Sequence, residues 1–152
     1  MPGRLSREER ERFLAEPHVA TLSVEAGDRG PLGVPVWYLY EPGGTVRVLM
    51  SPRSRKAGLI RAAGRFSLLV QRMEPTPRYV GVEGPVTHSA TADPEHFRDL
   101  ASRYLPPELV DACVRMSYAH DPGPRVVFHL TPRRWVGADL GGIPDLGRRR
   151  GQ

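Results

Sequence analysis

Residues 46–71 read VRVLMSPRSRKAGLIRAAGRFSLLVQ, and the change of period inside that stretch decides the fold class. Val46 to Met50, a short apolar run after a hairpin turn, reads as a strand. Ser51-Pro52-Arg53-Ser54 interrupts it. Ala57, Leu59, Ile60 and Ala63 then line one face of a short helix, and Gly64 is a good stop just past its end. From Arg65 to Arg72 the period returns to two, with Phe66, Leu68 and Val70 facing one way. One helix is inserted between strands, and no run of strand–helix–strand units follows it.

The flanking sequence supports the same reading. Ser6 and Glu9 have capping-box spacing at the start of a helix that Pro17 ends. Val19 to Val24 alternates as a strand, Ala26 to Gly30 is a turn, and Leu32 to Tyr40 is a long extended run. Pro35 inside that run implies an edge position or a gap in the ladder. Glu41-Pro42-Gly43-Gly44 is a hairpin turn. Beyond the central stretch, Met73 to Pro77 is a loop and Arg78 to His88 a strand interrupted at Gly84-Pro85. Asp93-Pro94 starts a helix carrying Phe97, Leu100, Ala101 and Tyr104 on one face. Pro106-Pro107 starts another, through Leu109, Val110, Cys113 and Met116. Arg125 to Thr131 is a closing strand, and Pro132 to Gln152 reads as a tail. The architecture expected is mainly β with flanking helices, an antiparallel barrel of six strands.

Composition narrows the function classes. The chain has 152 residues, 22 Lys+Arg against 17 Asp+Glu, and a formal net charge of +5. Of the basic residues 21 are arginine and one, Lys56, is lysine. A single cysteine, Cys113, excludes an intramolecular disulfide framework and a multi-cysteine zinc module. No apolar run approaches the ~20 residues that span a bilayer. The charged start MPGRLSREERERF has no secretory core, so a cytoplasmic location is expected. The five histidines show no metal-binding spacing, and no metal site is assigned. No residue is assigned a catalytic acid, base or nucleophile role: Ser117, His120 and Asp121 read as a helix end, without a nucleophile elbow. The arginines are spread along the chain without a nucleic-acid module, which argues against DNA or RNA as the partner.

Two segments could carry chemistry. Ser51, Arg53, Ser54, Arg55 and Lys56 offer hydroxyls, guanidinium forks, an ammonium and the free N–H groups of a helix start, a combination suited to a phosphate. The same residues also describe a solvated basic turn, and composition leaves both readings open. Gly33-Val34-Pro35-Val36-Trp37-Tyr38 combines a broken ladder with flat side chains. It suits a planar heteroaromatic ligand, or simply an edge strand with core aromatics.

With FLAEPHVATLSV, PVWYLYEPGG, SPRSRKAGLIRAAGRFSLLVQ, RYVGVEGPVT and TPRRWVGAD in that order, residues 6–138 resemble the split β-barrel flavin-binding superfamily. That group holds the pyridoxamine-phosphate-oxidase-like proteins and the F420-dependent reductases. The resemblance implies a homodimer with cofactor sites at the subunit interface and a small-molecule substrate. It implies that Pro35, Val36 and Trp37 run beside the cofactor ring, and that Ser51, Arg53, Ser54, Arg55 and Lys56 grip the ribityl phosphate. Gln71 and Trp135 match positions that approach the cofactor, the latter from the partner chain. F420 or FMN is the implied cofactor, with F420 preferred. The implied activity is hydride transfer. Cofactor storage or heme binding without turnover is the alternative. Residues 1–138 are expected to form one cofactor-binding domain and 139–152 a flexible Gly/Arg-rich tail. True pyridoxamine-phosphate oxidases carry a longer substrate-binding C-terminus with further Arg and His contacts, so this chain is not expected to be one of them.

Overall fold

A computed structural model describes residues 3–142. The chain runs α1 (Arg7–Ala15), β1 (Ala20–Ala26), β2 (Arg29–Val36), β3 (Val46–Met50), α2 (Arg55–Ala63), β4 (Arg65–Arg72) and β5 (Arg78–Ala92). It continues through α3 (Pro94–Tyr104), α4 (Pro107–His120), β6 (Arg125–Leu130) and β7 (Arg134–Asp139), and ends in a 3-10 turn at Leu140–Gly142. All strand pairs are antiparallel. The strand order is β2-β1-β4-β5-β6-β3, with β7 added on β5.

Local chemistry explains the element ends. Ser6 and Glu9 form the expected capping box at α1, and Asp93 with His96 forms one at α3. Gly64 ends α2 in the left-handed region, φ 70°, and its N–H donates to the Ile60 carbonyl at 2.8 Å. Alternation in β1, β3, β4 and β6 sends Ala20, Leu22, Val24, Val46, Val48, Phe66, Leu68, Val70, Phe128 and Leu130 into one core. Tyr38, Phe13 and Leu14 close it beneath α1. The Tyr38 hydroxyl donates to the Leu14 carbonyl at 2.6 Å, which satisfies its buried polar end.

The strand that organises the sheet is β5. Its first half pairs with β4 on one edge and β7 on the other. Its second half, past an irregularity between Val86 and His88, pairs with β6. At Gly84 the strand passes so close to the chain after β6 that a Cβ there would lie 1.9 Å from the Thr131 carbonyl oxygen. Two hydrogen bonds hold this crossing, Thr131 N–H to the Pro85 carbonyl at 3.0 Å and Arg133 N–H to the Glu83 carbonyl at 2.9 Å.

Three expectations need revision. Among the described residues the sheet has seven strands where six were expected, because residues read as the start of a tail, Arg134–Asp139, form β7. The first long strand is displaced: β2 begins at Arg29 and ends at Val36, since only Gly27 and Asp28 are needed to turn the chain. Strand β5 is not interrupted at Gly84-Pro85 and continues to Ala92. The remainder of the expected tail, 143–152 with Arg148 to Arg150, lies outside the described residues.

Asp139 anchors β7. Its carboxylate accepts from the Gly141 N–H at 2.8 Å, from Arg78 Nε at 2.8 Å and from Thr76 Oγ1 at 2.9 Å. Together these hold its carboxyl at about 2, the Gly141 N–H contributing most. A carboxylate with a lowered folded pKa stabilises fully above its unfolded value and loses that contribution as pH falls. Unfolding midpoints measured in urea should therefore decline between about pH 4 and pH 2 in the native chain. Asp139→Asn should flatten that part of the profile; an unaltered acid limb would show that Asp139 is not its source.

Candidate functional site at the open seam

Among the described residues, the chain just past the edge strand β2 meets the other edge strand, β3, at an isolated bridge. Leu39 and Arg47 exchange two backbone hydrogen bonds, each 2.9 Å. Beyond the bridge, toward Pro35 on one side and Ser51 on the other, the edges separate without a ladder. The sheet is wrapped but not closed. Pro35, which cannot donate to a ladder, therefore lies on an edge strand, one of the two positions expected for it.

The ring-side candidates line one wall of this end of the seam. Pro35, Val36 and Trp37, with Val19, border a shallow hollow of about 330 Å³. The Trp37 indole is held flat by Tyr104 of α3, ring centroids 4.8 Å apart and planes 6° from parallel. Tyr104 is fixed in turn: its hydroxyl donates to the His18 carbonyl at 2.8 Å and accepts from the Tyr38 N–H at 3.2 Å. The helical hairpin α3–α4 thus fixes the orientation of the aromatic at the seam. Sequence reading placed Tyr104 on the apolar face of a helix and missed this role.

The anion candidates occupy the other wall. Ser54 caps α2: its Oγ accepts from the Ala57 N–H at 3.3 Å and donates to the Ser51 carbonyl at 2.7 Å. Arg61 reaches back to the Pro52 carbonyl at 2.9 Å and fixes the loop from behind. Burial of Ala57 and Ile60 seats the helix on the core. The first-turn N–H groups of Arg55 and Lys56 have no intrahelical acceptor and carry the positive end of the helix dipole. Among the described residues neither Arg55 nor Lys56 side chain enters an ion pair. Free donors, a helix start and uncommitted cations fit a phosphate.

One acid shares this wall. Arg53 Nη2 lies 2.7 Å from Oδ1 of Asp121, the residue that ends α4. The Ser51 hydroxyl, and next to it Arg53, hold the Asp121 carboxyl below the usual carboxylate range. Arg125, buried behind it, donates to the carbonyls of Ser117, Asp121 and Gly123 and so fixes the helix end.

Gln71 and Trp135 are placed differently. Gln71 is exposed on the outer face of β4, and continuing the β1–β4 register by two residues sets it opposite Val19. Trp135 alternates with exposed Arg134 and Val136, so it faces inward, edge-on to Tyr40 at 6.2 Å. Tyr40 and the Thr45 turn lie on the far side of the Leu39–Arg47 bridge from Ser51. Within one chain, then, the register sets Pro35, Val36 and Trp37 and residues 51–56 at the same end of the seam, with Gln71 level with Val19 and Trp135 at the opposite end.

The pyridoxamine 5'-phosphate oxidase family model matches residues 6–137. The chain belongs to that family. Its fold is that of the flavin-binding split barrels, the architecture expected above. None of the curated proteins compared with the sequence matches it. Among solved structures it resembles a conserved hypothetical protein from Mycobacterium tuberculosis, with 22% identity, TM-score 0.65, and coverage of 91% of this chain and 88% of that one. An F420 reductase is similar at 22% identity and TM-score 0.63, covering 82% and 94%. An FAD-binding protein from Mesorhizobium loti is similar at 22% identity and TM-score 0.59, covering 89% and 93%. At these identities the likeness establishes the split-barrel fold. The two walls of the open seam are the edge strand that carries Pro35, Val36 and Trp37 and the loop 51–56 that leads into α2.

Proposed function

We propose that the protein binds a flavin-type cofactor along the seam, F420 in preference to FMN, and uses it to reduce a small unsaturated organic substrate. The observation that carries this reading is the shared end of the seam, where an unpaired edge strand faces a helix-start anion loop. When bound in its reduced form, the cofactor supplies a hydride.

The chain's own residues bind and orient. Pro35 and Val36 present backbone and apolar surface to one edge of a planar ring. Trp37, locked by Tyr104, limits where that ring can lie. Ser51, Arg53, Arg55, Lys56 and the α2 N–H groups hold the phosphate, while Ser54 keeps the loop in shape. The preference for F420 draws on the exposed arginines around the loop, which suit a polyanionic tail, and on the likeness to an F420 reductase.

The functional unit in this reading is a homodimer. The outer face of the β1–β4–β5–β7 layer exposes Val19, Leu69, Tyr79 and Val136, with Gly81 between them. A second copy of the chain would cover this apolar surface. The decisive test is to purify the protein, record its absorbance spectrum, identify released cofactor by mass spectrometry, and titrate F420 and FMN. Saturable binding of either supports the reading, and hydride transfer from the reduced form separates an enzyme from a storage protein. A colourless protein that binds neither overturns it.

A further inference from the structure

The anion loop is not purely basic. The Asp121 carboxylate sits 2.7 Å from Arg53 and also engages the Ser51 hydroxyl, so it takes up two of the groups assigned to the phosphate. Asp121 is three-quarters shielded from solvent, whereas Arg53 is largely exposed. The carboxylate is fixed in place because its own backbone carbonyl, and those of Ser117 and Gly123, are clamped by buried Arg125. Any phosphate that reaches Arg53 therefore meets a fixed negative charge a few ångströms away.

The cost of that encounter scales with the charge of the ligand. A phosphomonoester such as the FMN terminus is close to a dianion at neutral pH, its second pKa being about 6. The ribityl phosphate of F420 is esterified again by its tail and carries one charge. Screening is incomplete over so short a distance, so a second charge on the phosphate is penalised beside Asp121. We propose that Asp121 is a specificity-determining residue that tunes the loop to a phosphodiester monoanion and against a phosphomonoester dianion. This inference depends on the assignment of residues 51–56 as the phosphate site.

The experiment compares the native protein with Asp121→Asn and Lys56→Ala. Each is titrated with F420, FMN and riboflavin by fluorescence at about 0.15 M salt, where screening over about 8 Å confines the effect of Asp121 to the phosphate and spares the anionic tail of F420. Asparagine preserves size and one acceptor oxygen, and circular dichroism checks that the variant folds. Asp121→Asn should tighten FMN roughly three- to tenfold, the scale of one nearby charge. F420 should tighten clearly less and riboflavin, which has no phosphate, should not change. Equal tightening of FMN and F420 would remove the discrimination. Weaker FMN binding would make Asp121 a support for Arg53, which also overturns the proposal. Lys56→Ala separates this failure from that of the underlying site. If it weakens FMN and F420 while Asp121→Asn changes neither, the phosphate site stands and the charge filter falls. If Lys56→Ala also changes neither, the phosphate assignment itself fails.

Discussion

Substituting alanine for Gly84 should remove about 3 kcal/mol or more of folding stability, at or beyond the upper range for overpacking a core. The new Cβ would stand 1.9 Å from the Thr131 carbonyl oxygen and 2.9 Å from its carbon, both main-chain atoms. No rotamer change relieves such a contact. The two segments must part, and the Thr131–Pro85 and Arg133–Glu83 hydrogen bonds that dock β7 are lost or stretched. Urea unfolding of Gly84→Ala, followed by fluorescence of Trp37 and Trp135, measures the effect. Gly58→Ala is the internal comparison, since a Cβ at Gly58 meets nothing within 4 Å on the exposed side of α2. It should be neutral, or stabilising by up to about 1 kcal/mol through helix propensity. Equal stability for the Gly84 and Gly58 variants would refute the close crossing.

Lys56→Ala should weaken binding of a phosphate-bearing cofactor by about 1.5–3 kcal/mol, the worth of a charge-assisted hydrogen bond. That corresponds to about a tenfold to a hundredfold rise in Kd. Binding of riboflavin should not move, because the ammonium has no phosphate to meet. Lys56 is the second residue of α2 and Ala57, beside it, is the buried seat of the helix. The substitution leaves that seat intact, so thermal unfolding should be close to native. Lys56→Arg should retain part of the affinity, as the charge is kept while its geometry changes. Unchanged FMN and F420 affinity in Lys56→Ala would sink the phosphate assignment.

The core and most elements were legible because they are written in short-range patterns. Ser6 and Glu9, Asp93 and Pro94, and Gly64 mark element ends through chemistry within a few residues. The switch of period around Ser51 separates β3, α2 and β4 without any tertiary information. Strand β7 was not legible for a physical reason. RWVGAD has little intrinsic strand character after Pro132-Arg133, and its conformation is imposed by pairing with Arg78–Glu83, more than fifty residues earlier. The far half of β5 is similar: Ser89 to Thr91 are exposed and become strand only against β6.

The candidate site shows the same division. The anion loop was visible because its donors are consecutive, and the ring-side strand because proline and tryptophan stand together. Tyr104 and Asp121 were not, since their partners Tyr38 and Arg53 lie 66 and 68 residues away in the chain. Neither has a local pattern to betray it. Tyr104 resembles any apolar helix residue, and Asp121 any helix terminus.

The unpaired edge of β2 has a consequence for solubility. An open strand edge invites strands from other molecules, and chains commonly blunt it. Pro31 and Pro35 delete two of the eight backbone N–H groups of β2. An incoming strand would find carbonyls but too few donors to build a continuous ladder. The prolines that let the seam stay open within one molecule thus also keep it from being zipped shut by another.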